Sequence, residues 1–252
     1  MGEVKRSREH AYARGTFSNL NTQFRSYFGF CVYFERDPLP ASFRTVSGYV
    51  QFLSRTLKPQ SIRNYLSGVK MLHIFLGYEY KFSDDFHLQL VLRGIDRLHP
   101  HVPNRAKPVT PAVLLLFHQY MDRECSLHWS VYSCALVLFF TLARLGSILP
   151  ISSASAPDTF LTGDCVNFSR EGMLITMLHT KTIQFGNRRL HVPLLSRESD
   201  LCPVRAFRES VTHMRRGQHV PAFLFVGAGG VRWLTRSIFL RTFRQVMHIF
   251  VD

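Results

Sequence analysis

The sequence predicts a mainly α protein with one small β-sheet, folded as two domains. Three observations carry this expectation. Apolar side chains recur at helical spacing through residues 17–98, a proline-rich stretch without periodicity follows at 99–108, and three short apolar runs bounded by turn residues lie between 165 and 194. A chain of 252 residues is long enough for two domains of ordinary size, each with its own core.

In the first domain, residues 1–98, Phe17, Leu20, Phe24, Tyr27/Phe28 and Cys31 form one apolar stripe, and Pro38 and Pro40 end that helix. A shorter helix covers roughly Thr45 to Arg55. Pro59 opens a third, with Ile62, Leu66, Val69, Leu72 and Leu76 on one face and Gly77 as its stop. Ser83 is the expected N-cap of a fourth, which turns Leu88, Leu92 and Ile95 inward. Residues 99–108 hold three prolines together with Arg105 and Lys107, and read as an extended basic linker.

In the second domain, residues 109–252, Thr110-Pro111 is an N-cap and N1 pair for a helix to about Met121. An almost wholly apolar helix is expected from Trp129 to Leu149, closed by Arg144. Cys165–Phe168, Leu174–Leu178 and Leu190–Leu194 read as strands, with turns at 170–172 and near Gly186-Asn187. Pro203 opens another helix, Ala222–Val226 is a short apolar stretch, and Ser237–Val251 is a last amphipathic helix. Gly227-Ala-Gly-Gly230 lacks the spacing of a dinucleotide loop and reads as a turn.

Composition narrows the function. Lys and Arg number 31 against 17 Asp and Glu, a formal net charge of +14. Residues 1–100 carry 14 basic and 8 acidic side chains, so +6 falls there and +8 in the remainder. Excess positive charge in both halves suits a clamp around nucleic acid. The five cysteines form no Cys-x-x-Cys pair, a reduced pattern with neither a disulfide framework nor a metal site in view. The N-terminus is charged and has no apolar leader, and the run Trp129–Ala143 is too short to span a bilayer. A soluble protein that is not secreted, with no membrane partner and no small-molecule substrate, is expected.

Two stretches carry the chemistry. Arg63, Ser67 and Lys70 fall at i, i+4 and i+7, opposite the apolar face of the third helix, with Gln60 and Asn64 flanking them. Gln, Asn and Arg can pair with base edges, while Ser and Lys suit phosphates. In the second domain, Arg144 in Phe140-Thr-Leu-Ala-Arg-Leu-Gly-Ser-Ile-Leu149 sits in an apolar setting, so a guanidinium buried there needs an anionic partner. Lys181, in His179-Thr-Lys-Thr182, lies near the tip of the expected hairpin.

Together these stretches resemble the tyrosine recombinases of the phage-integrase family, in the style of eukaryotic transposons, over about residues 16–251. The resemblance implies a helical, SAM-like core-binding domain followed by an incomplete α+β catalytic domain. It implies that Arg144 holds non-bridging oxygens of a scissile phosphate and that Lys181 protonates the leaving 5′ oxygen. It further implies double-stranded DNA as partner, self-association on DNA, no cofactor, and a nuclear location in a eukaryote or a cytoplasmic one otherwise. Gln60, Arg63, Asn64, Ser67, Lys70, Arg105 and Lys107 are the expected DNA contacts. The family commonly has an acid three places after the arginine, where this chain has Ser147. Its later His-x-x-Arg and nucleophilic tyrosine have no counterpart here: the tyrosines end at Tyr132, and His213-Met-Arg-Arg216 comes too early and reads as a basic surface cluster. The chain as given is therefore expected to be inactive in strand cleavage. The alternative is a domesticated, sequence-specific DNA-binding protein that does no chemistry. A third reading is a basic helical protein that binds RNA or a protein. If the recombinase reading holds, Arg144 and Lys181 are expected to face one concave, electropositive surface.

Overall fold

The computed structural model describes residues 11–12, 14–100, 107–180, 183, 188–211 and 219–248. The protein is mainly helical with small antiparallel sheets, and it divides into two compact units between Ala106 and Lys107.

The first unit holds α1 (Arg14–Tyr33), α2 (Phe43–Ser54), α3 (Pro59–Leu76) and α4 (Phe86–Leu98). Helix α1 packs on α3, and α2 packs on both α3 and α4. Tyr27, Tyr49, Val50, Ile62, Val69 and Leu88 fill the space between them. Local chemistry sets each boundary. Helix α2 begins at Phe43, two residues before the expected Thr45, because the Ser42 hydroxyl accepts the Thr45 amide at 3.1 Å. Pro59 occupies the first turn of α3, and Gly77 ends that helix at φ 78°, a left-handed conformation that glycine adopts without strain. Asp85, not Ser83, caps α4: its carboxylate accepts the Leu88 amide at 2.8 Å, and Ser83 stands two residues too early to do so. Buried His73 bridges two segments, its Nε2 accepting from the Ala41 amide at 2.9 Å while Nδ1 lies 2.8 Å from the Val69 carbonyl.

The second unit runs α5 (Pro111–Tyr120), α6 (Ser126–Thr141), α7 (Leu145–Ile148), β1 (Val166–Phe168), β2 (Gly172–Met177), β3 (Leu190–Leu195), α8 (Pro203–Val211), β4 (Leu224–Gly227), β5 (Gly230–Trp233) and α9 (Arg236–His248). Helix α6 is its axis, packed on α5, α8, α9 and β4. Residues 130–137 are buried on every side, which explains an apolar run with no amphipathic period. No helix among the described residues is long and apolar enough to cross a membrane.

Strands β1, β2 and β3 form an antiparallel sheet in that order, pairing Val166 with Ile175 and Met177 with Leu190. Gly172 opens β2 so close to its neighbour that a Cβ there would overlap the Leu194 carbonyl oxygen, so glycine is required. Strands β4 and β5 form a separate hairpin whose turn is the glycine cluster at 227–230. Strand β5 was not expected from the sequence. Gly230, Val231 and Arg232 are all exposed, so it lacks the alternation that marks a half-buried strand.

Candidate phosphate site and nucleic-acid face

Arg144 does not close the buried helix. Helix α6 stops at Thr141, and Leu142 takes a left-handed conformation, φ 51° and ψ 25°, that ends it. Arg144 follows in extended conformation as the residue before α7. Its side chain is exposed, and among the described residues no carboxylate or hydrogen-bond partner holds it. The burial argument for an anionic partner therefore fails: the helix breaks three residues early and delivers the guanidinium to solvent. Ser147, where the resemblance expected an acid, is buried.

The turn itself is tied down from a distance. Arg236, the first residue of α9, donates from Nη2 to the Gly146 carbonyl and from Nε to the Leu149 carbonyl, each at 2.9 Å. Its backbone amide donates to the Pro150 carbonyl at 3.0 Å. These bonds occupy carbonyls that a four-residue helix leaves without internal partners. Gly146 completes the fit, since a Cβ there would press on the guanidinium at 3.2 Å. Sequence reasoning missed Arg236, because a contact 87–90 residues away with backbone carbonyls leaves no motif.

Leu142 is 88% exposed, so its side chain adds little burial while its backbone is strained. Replacing it with glycine is expected to raise stability by up to about 1 kcal/mol, read as a higher melting temperature. A loss of stability would mean that Leu142 packs against something essential.

Lys181 lies outside the described residues, as do Arg105, the turn at 186–187 and His213-Met-Arg-Arg216. The expected convergence of Arg144 and Lys181 falls there too. The residues flanking the lysine are anchored: the Thr180 and Ile183 backbones exchange hydrogen bonds of 3.0 and 3.2 Å, and Ile183 is buried. Lys107 is exposed at the start of the second unit.

On α3, Gln60, Asn64, Ser67 and Lys70 are all exposed and form one polar stripe along the helix. Arg63 departs from the expectation. It is half-buried and bound by both guanidinium nitrogens to Asp96 of α4, Nη1 to Oδ1 at 3.2 Å and Nη2 to Oδ2. A fork-to-fork pair of this kind commits Arg63 to joining two helices, so a base or phosphate would have to displace Asp96. Ser67 is also partly engaged, its hydroxyl donating to the Arg63 carbonyl at 3.0 Å. Arg63, Ser67 and Lys70 border a groove of about 280 Å³ whose other wall includes Tyr80, Phe82 and Gln89.

Among the described residues no group of three His, Cys, Asp or Glu side chains could hold a metal ion, and none of the five cysteines is in a disulfide. No protein-family model matches this chain, and no curated protein is significantly similar to it.

Proposed function

We propose that this protein binds double-stranded DNA in the manner of a tyrosine recombinase. In this reading the first unit is a SAM-like core-binding domain and the second a catalytic-type domain. The stripe Gln60, Asn64, Ser67 and Lys70 faces the duplex, Arg144 holds the oxygens of one phosphate, and Lys181 serves the leaving oxygen. Arg63 acts indirectly, by fixing α3 to α4. Both the recombinase reading and the reading as a domesticated DNA-binding protein rest on this grip, and the roles in chemistry belong to the first alone.

The observation that supports the reading best is the state of Arg144. A guanidinium exposed at a clamped turn, with no carboxylate beside it among the described residues, in a chain of net charge +14, is prepared for an external anion. The test is fluorescence anisotropy of a labelled duplex with the full chain. Replacing Asn64, Lys70 or Arg144 with Ala is expected to weaken binding by roughly three- to tenfold each. Replacing Lys81, which pairs with Glu79 at 3.3 Å, is expected to change little. Absence of duplex binding at low salt, or an equal loss in the Lys81→Ala variant, would reject the proposal.

A further inference from the structure

The first unit carries a second basic surface that the duplex reading does not use. It is a groove of about 470 Å³ between the end of α1, the outer face of α2 and Val91 of α4. It shares no residue with the groove beside α3. Arg36, Arg44 and Arg55 stand along it, and among the described residues no Asp or Glu lines it and none of the three arginines is ion-paired. Arg44 lies in the first turn of α2 and Arg55 caps its end, about 16 Å apart along the axis. Gln51 lies between them on the same face.

The floor of this groove is aromatic. Phe30, Phe34 and Phe52 form a three-ring cluster with centroids 4.9, 5.5 and 5.9 Å apart. Phe34 and Phe52 remain 37% and 38% exposed, so part of each ring is open to the groove. A strained turn sets the edge. Helix α1 ends with the Arg36 amide bonded to the Cys31 carbonyl at 2.8 Å and the Glu35 amide to the Val32 carbonyl at 3.3 Å. That arrangement needs a left-handed residue, and the chain places Glu35 there at φ 51° where glycine would be unstrained. The strained turn delivers Phe34 and Arg36 to the groove on either side of Glu35.

We infer that this α2 groove binds a single-stranded nucleic-acid segment, with Arg36, Arg44 and Arg55 on phosphates of that strand and Phe34 and Phe52 beneath the bases. Three features select this occupant. Arg44 and Arg55 lie on one face of α2 about 16 Å apart, with Arg36 at the groove's edge, a span that several phosphates of one strand can cover. Arginine forks suit phosphate oxygens bidentately. Exposed rings give sequence-tolerant stacking, and only an unpaired strand can offer a base face to them, since a duplex keeps its bases stacked inside. The inference stands apart from the duplex reading, because it uses different residues on α2 rather than α3.

Gly48 supplies a clean test. It lies on α2 in the groove wall, and a Cβ there meets only Phe30 Cζ, at 3.5 Å, an ordinary contact. Gly48→Glu therefore places a carboxylate among the arginines without crowding the core, and it raises helix propensity. The full chain is titrated against a fluorescein-labelled oligothymidine of about twelve nucleotides and against a duplex, with folding checked by thermal melting. Gly48→Glu and the double variant Arg44→Ala/Arg55→Ala are expected to weaken oligothymidine binding by about tenfold or more. Phe52→Leu, which keeps bulk but removes the ring face, should weaken it by about fivefold. Duplex affinity should change less than about threefold in all of these, whereas Lys70→Ala shows the reverse pattern. Oligothymidine binding that is unchanged in folded Gly48→Glu would overturn the inference. So would a duplex loss as large as the single-strand loss, or stronger competition by an acidic peptide bearing Asp, Glu and Phe than by unlabelled oligothymidine.

Discussion

Raising the salt concentration from about 50 to about 200 mM is expected to weaken duplex binding by roughly a thousandfold. The expectation follows from charge that is available rather than charge alone. Carboxylates hold Arg63, Lys81 and Arg205, but among the described residues Lys70 and Arg144 have no such partner. A cation already paired within the protein displaces no counterion from DNA, whereas a free one does. If about six phosphates are neutralised, the log–log slope has a magnitude of roughly 5, and a fourfold rise in salt then costs about three orders of magnitude. Duplex titrations at four or five salt concentrations measure that slope. Lys70→Ala and Arg144→Ala should each reduce its magnitude by about 1, because each removes one phosphate contact. An affinity indifferent to salt would remove phosphate contacts from the account, and with them the proposed function.

Much of the helical framework was legible in the sequence because its signals are local. Pro59 and Gly77 bracket α3 in the structure as they do in the pattern, since a fixed φ at one end and a left-handed residue at the other depend on nothing distant. The start of α2 and the cap of α4 each shifted by two residues for the same local reason. Ser42 and Asp85 each reach an amide three residues on, and periodicity alone does not distinguish them from nearby Thr45 or Ser83. What was illegible depends on contacts across the chain. Arg63 looked like a free member of a polar stripe, and nothing in its helix announces that Asp96, 33 residues away, holds it. Arg144 looked buried because Leu142 continues the apolar run, yet Leu142 is the residue whose left-handed backbone ends the helix. The clamp by Arg236 had no signal at all. The basic face of α2 is plain in the sequence as Arg44, Gln51 and Arg55, but its aromatic floor is assembled partly from α1, which the pattern of α2 alone does not show.

Arg236→Ala is expected to lower stability by about 2–4 kcal/mol and to mislay the Arg144 turn. The guanidinium meets two carbonyls at 2.9 Å in a part-buried site, and both would be left without a donor. Helix α7, at four residues, has too few internal hydrogen bonds to hold its own shape, so the loss falls on the segment that presents Arg144. Arg236→Lys separates charge from geometry. An ammonium keeps the positive charge but cannot reproduce the flat fork that reaches Gly146 and Leu149 together, so about half of the destabilisation should remain. Arg232→Ala is the control, an exposed arginine on β5 near the hairpin glycines, with an expected cost below about 0.5 kcal/mol. Denaturant unfolding gives the stability differences. Duplex titration of Arg144→Ala, Arg236→Ala and the double variant gives the coupling. If Arg236 acts by placing Arg144, the double variant binds no more weakly than Arg236→Ala alone. Additive losses would mean that Arg236 meets the DNA itself or supports another contact. An Arg236→Ala protein as stable as the parent would show that the turn holds without its clamp.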